Sequence, residues 1–269
     1  MVIRDSVFEL YNSHTELEMW QFILDFMTSV DPRITCNTTV AAQFSDPNAV
    51  ATFDFNIDNQ YILRMFRGST ANSGSGAINS SGSPGIRIHT IVNDITYGIV
   101  RYPYSWRYEY AYDAPKTGEN YHLRMKAISD TNYILIWVGL QWGNDAIVLS
   151  APFPPNFSSA YLKLPDNSTY CSALATPDST TGYILRGSFY RCSDGASNFT
   201  VANTLLNFNA GAGNLSYTQH CPILNNGQME ADFTDFTSCS TITLGTSIAL
   251  ENGNTYLAIG DHTLAPLTV

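Results

Sequence analysis

The sequence predicts a mainly β protein, built of antiparallel sheets in a sandwich-like arrangement with one N-terminal helix and room for two β domains. Three observations carry that expectation. Long stretches alternate apolar and polar residues, which places every second side chain on one sheet face. Charged residues make up 13% of the chain, against roughly 25% in ordinary soluble domains, so Asn, Ser, Thr and Gly must supply the polarity. Those types favour turns and sheet surfaces over long surface helices. Aromatic residues also reach 13%, with 16 Tyr and 14 Phe, and they pack well on a pleated surface.

The helix comes first. Thr15-Glu16-Leu17-Glu18 has the form of a capping box, and Trp20, Ile23, Leu24 and Met27 follow at helical spacing. Asp31-Pro32 ends it, because a residue before proline resists the α conformation. The period then changes to two in Ala51 to Asp58, a half-buried strand, and Asp58-Asn59 turns the chain into a partner strand, Gln60 to Arg67. Gly68 to Gly85 is rich in Ser, Gly and Asn and reads as a long contact-forming loop.

Strands resume at Ile86 to Val92 and again from Ile99, where Pro103 demotes part of the run to an edge strand or bulge. Tyr121 to Ile128 and Asn132 to Leu140 form the clearest hairpin, and its second strand, apolar on both faces, belongs in a sheet centre. Ala151-Pro-Phe-Pro-Pro155 marks a boundary between a helix-led domain, 1–150, and a turn-rich β domain or extension, 151–269. In the latter, Gly182 to Arg191, Ser240 to Leu244 and Asn254 to Gly260 read as strands.

Charge and cysteine usage narrow the function. A net charge of -10 disfavours nucleic acid and anionic membranes, and no apolar run is long enough to span a bilayer. The first residues lack the features of a signal peptide, so the six Asn-x-Ser/Thr sites, at Asn37, Asn79, Asn156, Asn167, Asn198 and Asn214, read as a by-product of composition. Cys36, Cys171, Cys192, Cys221 and Cys239 form an odd set without a Cys-x-x-Cys pair, which favours free buried thiols over a disulfide framework.

Each candidate for chemistry in the chain has a plainer explanation. His220-Cys221, flanked by Cys192 and Cys239, lacks the paired short spacings that bring zinc ligands together. Glu230, Asp232 and Asp235 are carboxylates suited to acid–base work or calcium, but they alternate with Phe233 and Phe236 as a solvated face would. Asp54 and Asp58 also read as a polar strand face. Nucleophile-elbow, phosphate-loop and dinucleotide motifs are absent, so no enzyme activity and no cofactor are expected. The most distinctive feature is the aromatic run Tyr102, Tyr104, Trp106, Tyr108, Tyr110, Tyr112, which at period two shares one strand face and suits stacking on sugar rings or a partner. The plainer alternative is a core-facing stripe.

The helix Glu16 to Val30, the hairpin Ala51 to Arg67 with its Ser/Gly loop, and Tyr133 to Leu140 followed by Ala146 to Leu149 resemble accessory virion proteins of tailed bacteriophages, the tail, baseplate or neck components. The resemblance covers roughly the first 150 residues. It implies a non-enzymatic structural part, located in the virion after assembly in the host cytoplasm, that forms a homo-oligomer and joins other virion proteins. Closed symmetry would also protect exposed strand edges. The alternatives are a host-adhesin module binding a surface glycan through Tyr102 to Tyr112 and the C-terminal part, and a virion glycan hydrolase using acids among Glu230, Asp232 and Asp235.

Overall fold

The computed structural model describes residues 2–10, 14–45, 51–69, 84–103, 121–142, 157–172, 188–196, 199–201, 206–210, 213–217, 221–225, 228–233, 237–238, 247–249, 255–260 and 263–266. The fold is mainly β and antiparallel. The chain divides into two compact units, one formed by Val2–Ser129 with Val138–Ile147 and the other chiefly by Asp130–Trp137 with Val148–Val269.

The first unit opens with a strand that the sequence reading did not assign, β1 (Val2–Leu10), ahead of helix α1 (Glu16–Val30). The capping box is complete: Thr15 Oγ1 accepts from the Glu18 N–H, and Glu18 accepts from the Thr15 N–H at 2.6 Å. Glu16, Met19, Trp20, Ile23, Phe26, Met27 and Val30 form the buried stripe of α1, at the three- and four-residue spacing of one helix face. Leu24, expected on that stripe, sits at its half-buried margin. Asp31 ends the helix in extended geometry, as its place before Pro32 requires. Its carboxylate accepts from the Arg33 N–H and guanidinium at 2.8–2.9 Å, and Ser129 Oγ donates to the Val30 carbonyl.

After β2 (Ile34–Thr35) and the short helix α2 (Val40–Gln43) come β3 (Thr52–Ile57) and β4 (Tyr61–Ser69). The alternation holds here: Phe53, Phe55 and Ile57 are fully buried, while Thr52, Asp54 and Asn56 between them are half-buried. Asp58 and Asn59 both take positive φ, a conformation that Asp and Asn tolerate best among non-glycine residues, and the Gln60 N–H closes the turn onto the Ile57 carbonyl. β5 (Pro84–Val92) pairs with β4 as far as Ser69–Pro84, so both strands run into the segment that composition marked as loop.

Asn93 and Asp94, again at positive φ, make the two-residue turn into β6 (Ile95–Pro103), which therefore starts four residues before the expected Ile99. A bulge between His89 and Thr90 leaves Gly98 of β6 unpaired, and Pro103 ends this last strand of the sheet, an edge position that spares proline a missing ladder bond. The sheet order is β2-β3-β4-β5-β6.

β7 (Tyr121–Asp130) and β8 (Tyr133–Trp142) follow, joined at Thr131-Asn132. Within the first unit β7 pairs with β1 over nine residues and neighbours the Val138–Trp142 end of β8. This ladder is charged along one face, with Asp5 opposite Lys126, Val7 opposite Arg124 and Glu9 opposite His122. Arg124, almost wholly buried, holds Asp5 by two parallel bonds of 2.9 and 2.8 Å.

In the second unit the Tyr133–Trp137 part of β8 is buried on both faces, as expected of a central strand, and lies beside β9 (Phe157–Lys163). β10 (Thr169–Ser172), β11 (Ser188–Arg191) and β12 (Phe199–Val201) continue the sheet, with Phe157, Tyr161, Tyr170 and Phe189 in its core. β13 (Leu206–Ala210) and β14 (Gly213–Tyr217) form a separate hairpin, and β15 (Cys221–Asn225) and β16 (Gln228–Phe233) complete the main sheet. β17 (Thr237–Ser238), β18 (Ser247–Ala249), β19 (Thr255–Gly260) and β20 (Thr263–Pro266) make a small sheet in the order β17-β20-β19-β18. Of the strands expected here, Asn254 to Gly260 corresponds to β19 and the end of Gly182 to Arg191 to β11, while Ser240 to Leu244 lies outside the described residues.

Candidate functional site

Two concave surfaces of the first unit stand out, and the sequence reading singled out neither. The first is a polar cleft of 460 Å³ lined by Thr35, Cys36, Asn37, Thr38, Gln43, Thr52, Asp54, Asn56 and Ile62. Its floor is the outward face of β3, where period-two alternation sets Thr52, Asp54 and Asn56 in a row. β2 supplies Thr35, directly opposite Asn56, and the chain leaving β2 supplies Cys36, Asn37 and Thr38 as a wall.

Gln43 locks that wall. Its Oε1 accepts from the Thr52 N–H at 2.9 Å while its Nε2 donates to Thr38 Oγ1 at 3.0 Å. Asp54 is held by Arg64, directly opposite on β4, through bonds of 2.6 and 2.7 Å that raise the Arg64 pKa. The Cys36 thiol is pushed up chiefly by burial, with the nearby Asp54 charge adding to it, so it stays protonated at neutral pH. The cleft therefore offers amides, hydroxyls and one oriented carboxylate, a donor and acceptor set matched to a polyhydroxylated ligand.

The second is an apolar groove of 580 Å³ between β1 and α1, lined by Phe8, Phe22 and Phe26 with Arg4, Glu18 and Asp25 at its rim. Phe8 and Phe22 lie 5.5 Å apart between ring centres, and Phe22 and Phe26 6.2 Å. β1 stands at the end of its sheet's strand order, so one side of the groove is a nine-residue terminal strand.

Comparison with family models, curated proteins and solved structures finds no match.

The expected aromatic site is reached only at its start. Tyr102 lies on β6 opposite Ile86, while Tyr104, Trp106, Tyr108, Tyr110 and Tyr112 lie outside the described residues. Glu230 and Asp232 sit on β16, and Asp235, His220 and Cys239 lie outside the described residues. Cys171 and Cys192 are buried free thiols and Cys36 a half-buried one. Among the described residues no three His, Cys, Asp or Glu side chains gather as metal ligands, and no helix is long and apolar enough to cross a membrane.

Neither concave surface was found from sequence, because each is assembled from short pieces of several elements. The Thr39 cap that starts α2, by accepting from the Ala42 N–H, and the polar alternation of β3 were the signals available for the cleft.

Proposed function

We propose that this chain is a non-enzymatic structural component of a tailed-phage particle, a tail, baseplate or neck part located in the virion, which assembles with copies of itself and with other virion proteins. The observation that carries the reading is the aromatic groove between α1 and the terminal strand β1, with its charged rim of Arg4, Glu18 and Asp25. A contiguous apolar surface rimmed by charge is the anatomy of a protein contact. A terminal strand beside it adds backbone donors and acceptors to the same surface. Mass spectrometry of purified particles tests the proposal: the chain is expected among the stoichiometric components, and its absence would overturn the reading. Phe22→Lys, on the half-buried side of α1, is expected to leave the isolated protein folded while blocking its incorporation.

The polar cleft favours a second reading, a glycan-binding host-adhesin role compatible with the first. Asp54 with Arg64, Asn56 and Gln43 supplies the paired donors and acceptors that sugar hydroxyls need. Binding on a glycan array that is lost in Asn56→Ala supports this role, and an array that stays blank for the oligomer as well rejects it.

A further inference from the structure

Three long strands end the strand orders of the described sheets, and two of them are guarded against pairing with another chain. β6 is interrupted by the bulge beside His89 and closed by Pro103, and β16 is interrupted by a bulge between its partners Ile223 and Leu224. Bulges and proline both spoil a sheet edge as a template. β1 has neither: its nine residues pair with β7 without a break and include no proline. An inward-pointing charge is another common guard, and β1 carries one in Asp5. Arg124 cancels it through two bonds of 2.9 and 2.8 Å. The outer edge of β1 is thus left open as a template.

The residues of β1 also select a partner. Two copies of one strand meet antiparallel about a two-fold axis perpendicular to the sheet, so directly opposed residues share a face and the axis passes through one residue position. An axis at Asp5 sets Asp5 opposite its own copy, one at Arg4 does the same to the arginine, and one at Val7 sets Asp5 opposite Glu9. Like charges directly opposite are destabilising. An axis at Phe8 pairs only Ser6–Leu10. An axis at Ser6 escapes every conflict: Asp5 falls opposite Val7, Glu9 opposite Ile3 and, twice by symmetry, Arg4 opposite Phe8. Arg4, Ser6 and Phe8 line the aromatic groove, with Arg4 exposed and Phe8 half-buried. We propose that β1 pairs antiparallel with β1 of a second copy of this chain, in the register centred on Ser6. Each Arg4 guanidinium then meets the aromatic edge of the other copy's groove, a cation–π pairing repeated on both sides of the axis. The inference rests on reading the groove as a protein contact, and it names the partner as a second copy.

Sedimentation velocity of the isolated full chain tests the pairing. A monomer–dimer equilibrium that shifts with loading concentration is expected, and Ser6→Lys, which sets two ammonium groups opposite each other on the axis, should weaken it about fivefold or more. Ser6→Cys reads the register and, being nearly isosteric, keeps the test open if Ser6→Lys does not fold. Mild oxidation should join the Asp5–Arg33 tryptic peptide, which has no cysteine in the wild type, to its own copy. Arg4→Cys and Phe8→Cys should each fail to cross-link alone and should cross-link when mixed, because only directly opposed positions come within reach. A chain that stays monomeric at every concentration overturns the proposal, as does a dimer whose Ser6→Cys variant does not join to itself. Particle composition separates this inference from the virion reading: a self-paired dimer absent from particles leaves the pairing standing, and a monomer present in them leaves only the virion reading.

Discussion

The two faces of β4 carry the same kind of ion pair in opposite surroundings. On the face turned to α1, Arg67 meets Glu16 at 2.6 Å with side-chain exposures of 7% and 1%. Trp20 Nε1 also donates to Glu16, and the Trp20 ring stacks on Phe53 at 5.2 Å. On the other face Arg64 meets Asp54 at the same 2.6 Å, with exposures of 38% and 40%. Distance alone would rank the pairs equal. Solvent separates them: the exposed pair is screened and costs side-chain entropy, whereas the buried one joins two charges already removed from water.

That contrast sets an order of effects. Glu16→Ala should cost about 3–5 kcal/mol in urea unfolding, because Arg67 is left charged against an apolar helix face, while Glu16→Leu with Arg67→Leu should recover most of the loss. A double variant as unstable as the single one would show that the pair does more than neutralise itself. Asp5→Ala, which strips the two bonds from buried Arg124, should cost about 2 kcal/mol, since Asp5 keeps more contact with solvent than Glu16. Amide exchange in β1 and β7 would locate the damage.

Thr15→Ala removes the helix cap and should cost about 1 kcal/mol. It also bears on acid stability. The Thr15 N–H holds the Glu18 carboxyl below its usual pKa, and the Arg33 bonds hold Asp31 low although burial pushes it up. Both folded values lie below the unfolded ones, so this stabilisation is present above the unfolded carboxyl range near pH 4 and is lost as pH falls through the folded values. Thr15→Ala, which loses the hydroxyl's share of the Glu18 shift but keeps the backbone N–H, should therefore flatten the acid limb of a stability–pH profile only slightly, and Arg33→Ala, which strips Asp31 of its guanidinium, should flatten it more, neither changing the neutral limb's slope. The smallest effect is expected at Asp54→Asn, below about 1 kcal/mol, with any ligand affinity of the polar cleft falling much more than stability. A larger loss of stability would erase the distinction between the two faces of β4.

The same contrast explains what was legible in the sequence. Helix α1 and the β3–β4 hairpin are specified locally, by the Thr15–Glu18 box, by period-two Phe53, Phe55 and Ile57, and by Asp58-Asn59 at the turn. Strand β1 was not read because Asp5 and Glu9 share a face with Ile3 and Val7 and break its alternation, and the residue that accommodates Asp5 is 119 positions away. Glu16 likewise looks like a first-turn surface acid until Arg67, 51 residues later, is placed against it. The polar cleft needs four segments to meet, which no local pattern announces.

The pairing of β1 with β7 also has a meaning in time. A ribosome adding roughly 5–20 residues per second needs on the order of ten seconds to deliver Tyr121–Asp130 after Val2–Leu10 has emerged. Throughout that interval the first strand lacks the one strand partner it has among the described residues, while neighbouring nascent copies carry the matching β7. Synthesis on crowded ribosomes thus sets intramolecular closure in competition with strand exchange between chains, and slowing translation ahead of residue 121 should raise the yield of exchanged dimers.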